Sequence, residues 1–154
     1  MQMAAVDVFL ILLRAQGREA LFGLRGAGVY APHTWNLPSG KIDEGEDAVS
    51  AVIREAVEET GIQLIPEDLT PVGAIHARNQ EGMARVGFVF AADHDVVRHG
   101  EPVNAEPVKC DGLAWHDLTV PPQPLEPYNH AAIELYLRGN HVALHGWEHS
   151  AATG

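Results

Sequence analysis

Residues 40–62, GKIDEGEDAVSAVIREAVEETGI, constrain the fold more than any other part of the chain. A glycine-bearing loop runs into a helical pattern that sets Arg54, Glu55, Glu58 and Glu59 almost side by side. At ~100° per residue, Glu55, Glu58 and Glu59 fall on one face, because three- and four-residue spacings bring side chains together. Val49, Val52, Ile53, Ala56 and Val57 form the opposite arc, the side expected to pack on a core. Ala48 and Ala51 share the carboxylate face, where small neighbours leave room for something bulky. Asp47 is placed to cap this helix and Gly61 to stop it.

Clustered carboxylates repel, and these have almost no partner of opposite sign. Between Lys41 and Arg78 the sole basic residue is Arg54. A solvated acidic face is the ordinary reading of a charge run, but such faces usually interleave Lys or Arg one turn away. Here Ala51 and Glu59 stand four residues either side of Glu55, and Gln63 four after Glu59. Hard divalent cations, which take oxygen ligands, are the natural compensation.

At these residues the chain resembles the Nudix hydrolases, the MutT-like pyrophosphohydrolases. The family pattern is a Gly, five residues, Glu, seven residues, Arg-Glu, an apolar residue, any residue, Glu-Glu, any residue, Gly and an apolar residue. Gly40, Glu46, Arg54, Glu55, Ala56, Glu58, Glu59, Gly61 and Ile62 supply it with every gap correct. Ser39 stands where the family often has a second Gly, and Ala56 is a mild apolar choice. Neither touches a carboxylate. The run Trp35, Asn36, Leu37, Pro38 and the later Trp115 also look family-like.

The resemblance implies an α/β/α sandwich with a mixed central β-sheet, and hydrolysis of a nucleoside diphosphate linked to another moiety. By the same carry-over, Glu55, Glu58 and Glu59 hold Mg²⁺ or Mn²⁺, with the backbone carbonyl near Ser39 and Gly40 as a further ligand. Glu55 is the candidate general base, and Arg54 orients the carboxylates, reaching toward Glu46. Relatives often recruit another carboxylate from a distant loop; Glu106 is the first choice and Glu81 the second, although each alone reads as an ordinary exposed Glu. Arg25, Ser39 and Asn129 are the candidate substrate-binding residues. Arg25 reads equally as a surface Arg. Asn129 reads either as a helix cap or, by analogy with MutT-like purine-triphosphate enzymes, as a guanine contact.

Length and composition bound the rest. A chain of 154 residues fits one domain, and 46% hydrophobic content suffices for one core. We expect a single domain over 1–140 and a short tail over 141–154. A net charge of −11 argues against a nucleic-acid polymer as partner and fits a small nucleotide only once bound cations invert the local field. Cys110 is the lone cysteine, so no internal disulfide forms and a reducing compartment is the simple inference. It reads as an apolar filler rather than a nucleophile. The apolar run 6–13 is too short to span a bilayer, so a cytoplasmic protein without membrane association is expected.

Strands are expected at 6–13, 19–25, 69–77, 83–92 and 112–118, with helices over the Glu-rich run and 128–138. Residues 93–111, holding Pro102 and Pro107, read as a long loop. His141, His145 and His149 recur at four-residue intervals, a spacing that suits a transition metal, yet Gly146 interrupts it. Two rivals stand beside hydrolysis. A Nudix-fold isomerase of the isopentenyl diphosphate type should show a degraded box and a catalytic Cys; a nucleotide-sensing module need not keep its carboxylates. Substrate identity defaults to nucleoside triphosphates because the signatures of more specialised relatives are missing. Oligomeric state is not readable, although relatives are often homodimers.

Overall fold

The computed structural model describes residues 4–147. Its frame is an eight-stranded mixed sheet: β1 (Ala5–Arg14), β2 (Glu19–Arg25), β3 (Trp35–Asn36), β4 (Ser39–Lys41), β5 (Thr70–Arg78), β6 (Ala84–Asp93), β7 (Cys110–Asp117) and β8 (Val142–His145). Three helices accompany it: α1 (Ala48–Thr60), the single-turn α2 (Val96–His99) and α3 (Pro127–Arg138). The main path runs β3-β2-β1-β6-β5-β8, with β4 added on β1 and β7 on β2. β1 pairs parallel with β6 and β5 with β8; the other pairings are antiparallel.

The apolar run of β1, unbroken from Val8 to Leu13, follows from its position. Strands covered on both faces lose the hydrophobic-polar alternation of half-buried ones. Phe9, Ile11 and Leu13 point into a core shared with Phe22, Val89, Ile133 and Leu135, beneath α3. Val8, Leu10 and Leu12 point the other way, into a core with Leu21, Val52, Ala56 and Phe90, beneath α1. Successive side chains on one strand therefore feed two layers, which makes the α/β/α sandwich.

α1 begins and ends at chemically marked points. The Asp47 side chain accepts from the Ser50 amide at 2.8 Å, and Gly61, at φ 72°, donates its amide to the Val57 carbonyl. Its orientation departs from the expected one. Ala51 is fully buried in the core, whereas Val57 is exposed. The helix is rotated so that Ala51, Val52, Ala56 and Thr60 face the sheet. At ~100° per residue, Glu55 and Glu59 both lie inside that arc, between Ala51 and Val52, and Glu58 lies just beyond its Ala51 edge, toward solvent. The carboxylate face and the core face overlap rather than oppose.

Several elements went unread in the sequence. β3 and β4 are too short to carry periodicity; β4 exists because Ser39, Gly40 and Lys41 pair with Phe9, Val8 and Asp7. α2 interrupts the expected 93–111 loop, capped by Asp95. β8 lies within the stretch expected as a tail, beside β5, where His141 packs so close that a side chain on Gly73 would overlap its carbonyl. Among the described residues, no helix is long and apolar enough to cross a membrane.

Candidate active site

Arg54 organises the loop-helix junction. Its Nε and Nη2 donate to the two carboxylate oxygens of Glu46, at 2.8 and 2.9 Å, a planar two-point pairing suited to a guanidinium. Nη2 also donates to the Lys41 carbonyl at 3.0 Å, and Nη1 to Glu55 at 2.8 Å and Glu58 at 3.2 Å. Arg54 holds the Glu46 carboxyl down at about 2, assisted by the Asp43 amide. Its own pKa is raised, chiefly by Glu46. One cation thus ties the loop to the first turns of α1.

Glu55 and Glu59 lie deeper. A Cβ on Gly40 would overlap the Glu55 carboxylate, so that carboxylate rests on bare backbone and only Gly fits beneath it. Glu59 accepts the Ser39 amide at 2.9 Å. Burial raises both carboxyl pKa values, against the opposing pull of Arg54 on Glu55 and of the Ser39 amide on Glu59. The shift is larger at Glu59, where the Glu55 charge adds to burial. The Glu106 charge raises both, and Arg25 lowers Glu59, so both side chains are electrostatically within the site.

These groups flank a cavity of about 970 Å³ on the α3 side of the sheet. Glu59, Ser39 and Gly40 stand at one end; Arg78 and Glu81 stand at the other, in and beside the β5–β6 turn. Glu106 lines the cavity and lies 3.7 Å from the Lys109 ammonium. Arg25 ends β2 at a bulge, donates Nη1 to the Tyr30 carbonyl at 3.2 Å, and leaves its buried Nε without a partner among the described residues. Asn129 is 2% exposed, and its carboxamide is committed on both sides: Oδ1 accepts the Leu37 amide at 2.9 Å, and Nδ2 donates to Glu126 at 2.7 Å. It ties α3 to the segment leading into β4. The Glu126 side chain, not Asn129, caps α3.

Three lining residues escaped the sequence reading. Asp7, buried, accepts from Arg85 Nε at 2.9 Å and from the Tyr128 hydroxyl at 3.0 Å. The Tyr128 hydroxyl pKa is raised by burial and by the adjacent Asp7 charge. Only Asp7 left a trace in the sequence, as the one charge inside the apolar run of β1. Cys110 also faces the cavity, but its Sγ donates to the Gly112 carbonyl and burial raises its pKa. Trp115 is elsewhere, under the Arg14 guanidinium on the α1 side. Of the three spaced histidines, His145 lies in β8 and stacks on Tyr128, and His149 falls outside the described residues.

Oxygen donors are the right chemistry for a hard divalent ion. Glu55 lies close enough for its charge to act on Glu59, burial opposes both charges, and each keeps an oxygen that no hydrogen bond within the described residues occupies. Glu58 is drawn instead to Arg54, and among the described residues no group of three or more His, Cys, Asp or Glu side chains converges as a metal cage.

A mixed sheet between helical layers, carried by these sequence features, is the fold of a MutT-type hydrolase. The chain belongs to the Nudix family, a NUDIX domain matching residues 2–137. A MutT NUDIX hydrolase from Burkholderia pseudomallei superposes with a TM-score of 0.75 at 29% identity, over 87% of this chain and 98% of that one. The RNA pyrophosphohydrolase of Agrobacterium fabrum is 25% identical over 118 residues, covering 68% of this chain and 69% of that protein. Human 8-oxo-dGDP phosphatase NUDT18 is 32% identical over 98 residues, 62% of this chain but only 28% of that protein. Nudix hydrolases generally use a divalent metal and act on nucleotide substrates.

Proposed function

We propose that this protein hydrolyses a phosphoanhydride bond in a small nucleotide, a nucleoside triphosphate or a related diphosphate conjugate, with Mg²⁺ or Mn²⁺. The observation that carries this is the pair Glu55 and Glu59, packed against the Ser39–Gly40 backbone at the mouth of a cavity that also presents Arg25 and Lys109. Glu59 and the Gly40 carbonyl would hold the ion, with Glu55, Glu58 and Glu106 close by. When bound, it neutralises phosphate oxygens and makes water a better nucleophile.

The chain's own groups do the rest. Glu55, with one oxygen fixed by Arg54, keeps the other to accept a proton from the attacking water. Arg25 and Lys109 bind phosphate oxygens. Tyr128, half-buried and braced edge to face on the buried Phe9 at 4.7 Å, offers aromatic surface for the nucleoside. No covalent enzyme intermediate is needed. Cys110, the group an isomerase reading would need, keeps its thiol proton on the Gly112 carbonyl.

The test is release of phosphate or pyrophosphate from a nucleotide panel that also includes RNA, because several relatives are named RNA pyrophosphohydrolases. Hydrolysis that needs a divalent cation, stops in excess chelator and falls sharply in Glu59→Gln is expected. In labelled water, the label should appear on a phosphate product. Full turnover in chelator, or a trapped substrate-linked protein, would overturn the reading.

A further inference from the structure

One edge of the sheet is left open. Among the described residues β8 is bonded on one side only, parallel to β5, with Val142, Ala143, Leu144 and His145 beside Ala74, Ile75, His76 and Ala77. The Ala74 amide donates to the His141 carbonyl at 2.9 Å, which fixes the phase of the ladder. Backbone groups of successive strand residues point to opposite sides, so His141 and Ala143 are bonded toward β5 while Val142 and Leu144 turn theirs outward. No hydrogen bond within the described residues uses those outward amides and carbonyls.

Apolar side chains continue the opening onto one face. Ala143 joins the core beneath α3, so Val142 and Leu144 point to the other side of the sheet. Val142 is 67% exposed and Leu144 43%. In register they extend two rows across the strands: Val142, Ala74 and Phe88 in one, Leu144, His76 and Val86 in the other. The first row runs on to Val8 of β1, which is fully buried beneath α1, whereas Phe88 beside it is 38% exposed. Along this row, cover from α1 ends at β1.

Free backbone groups beside exposed apolar side chains are a template for another strand, and natural edges are usually guarded by Lys, Pro, a bulge or an inward charge. β8 has none of these. Residues 139–147 hold no Asp, Glu, Lys, Arg or Pro, and the pairing with β5 runs without a register shift. By contrast β7, which pairs only with β2, carries Asp111 and Asp117. On a chain of net charge −11, a second copy is repelled by most of the surface and least by an uncharged strip. A basic partner would gain from the acidic surface and has no reason to choose this strip.

The strip is also self-complementary. Antiparallel pairing about a two-fold axis at Ala143 sets Val142 opposite Leu144 of the second copy, and Leu144 opposite Val142 of the second copy. Both are outward-bonding residues, so this register satisfies every free amide and carbonyl of the pair and closes each exposed side chain on an apolar one. We propose that β8 is the interface for a second copy of this chain, joining two sheets edge to edge in a two-fold dimer with Val142 opposite Leu144. The inference stands independently of the nucleotide-hydrolase reading.

Sedimentation of the full chain from about 1 to about 200 µM should show a monomer–dimer equilibrium that stops at two copies, because the pairing is isologous and consumes the edge. Across that range, hydrogen exchange followed by NMR should slow at the Val142 and Leu144 amides. The Ala143 amide, already bonded to β5, should change little. Paired charges test the register. Val142→Lys with Leu144→Lys places lysine opposite lysine and should abolish the dimer, even though it lowers the net negative charge. Val142→Lys with Leu144→Glu places lysine opposite glutamate and should recover it in part. Leu144→Pro removes an outward donor and should raise the dimer Kd at least about tenfold. Thermal melts identify a variant that fails to fold, and the two charged variants, alike in exposure, control for each other. A chain that stays monomeric throughout would leave the edge to a foreign strand and overturn the proposal. So would a dimer that persists with lysine at both positions, one lost equally in both charged variants, or growth into larger assemblies.

Discussion

Gly40 and Glu59 show how single residues set this site. Gly40 matters through the close approach of Glu55, not through a left-handed backbone. Gly40→Ala should therefore displace the Glu55 carboxylate and lower kcat/KM about 100-fold, the scale of a 1 Å misplacement. Circular dichroism should stay wild-type, since the clash moves one flexible side chain. Glu59 makes a pH prediction. Burial raises its pKa above the ordinary carboxylate value, as it does for Glu55, so the folded protein binds protons there that the unfolded chain has released. Metal-free stability from these groups is greatest at low pH and is lost as pH rises from the ordinary carboxylate pKa through the raised one. The difference in Tm between Glu59→Gln and wild type in chelator should widen in the mutant's favour across that window. A saturating divalent cation should reverse it, because an ion bound only by the folded state stabilises the wild type more. A pH-independent difference, or an undiminished metal shift in Glu59→Gln, would remove Glu59 from the site.

At the scale of elements, α1 is both scaffold and site, and its two roles can be separated. Asp47 caps the helix without touching the cavity. Asp47→Ala should cost about 1 kcal/mol, lowering Tm by roughly 2–4 °C for a chain of this size. The metal concentration at half-maximal activity should not move. Arg54 joins Glu46, Glu55, Glu58 and the Lys41 carbonyl, so Arg54→Lys should fail where charge alone is kept, because one ammonium cannot replace the two-point contact with Glu46. Loss of kcat, with smaller change in KM, would distinguish misplaced carboxylates from weakened binding. Asn129 is the corresponding tie for α3. Its two hydrogen bonds to Leu37 and Glu126 make Asn129→Leu destabilising as well as disruptive to the segment entering β4.

For the whole molecule, charge is the governing quantity. The chain carries −11 overall, yet half of its basic residues line one cavity. Five carboxylates, Asp7, Glu59, Glu81, Glu106 and Glu126, line the same cavity, so the site attracts an anionic substrate only with a cation bound, while the exterior repels it. Screening weakens the long-range repulsion first, because the Debye length falls to about 8 Å at physiological ionic strength. At fixed free metal, kcat/KM should therefore rise as salt increases from ~10 to ~150 mM, opposite to the behaviour of a basic nucleotide-binding protein. Steady-state kinetics in a non-coordinating salt would check the sign.

The sequence by itself determined the local chemistry. Gly40, Glu46, Arg54, Glu55, Glu58, Glu59 and Gly61 are legible because a helix makes spacing equivalent to proximity, and Asp47 and Gly61 mark its ends. The double-faced β1 was legible, Asp7 aside, as a continuous apolar run for the same local reason. Tertiary structure alone decided what no periodicity encodes. The rotation of α1 that buries Glu59 but leaves Val57 exposed depends on how Ala51 and Ala56 pack on the sheet, not on the helix's own pattern. The meeting of Asp7, Arg85 and Tyr128 joins β1, β6 and α3 across separations of 78 and 121 residues. The return of the chain as β8, which puts Trp147 against Arg78, follows from pairing with β5, and a four-residue strand carries too few side chains to announce it.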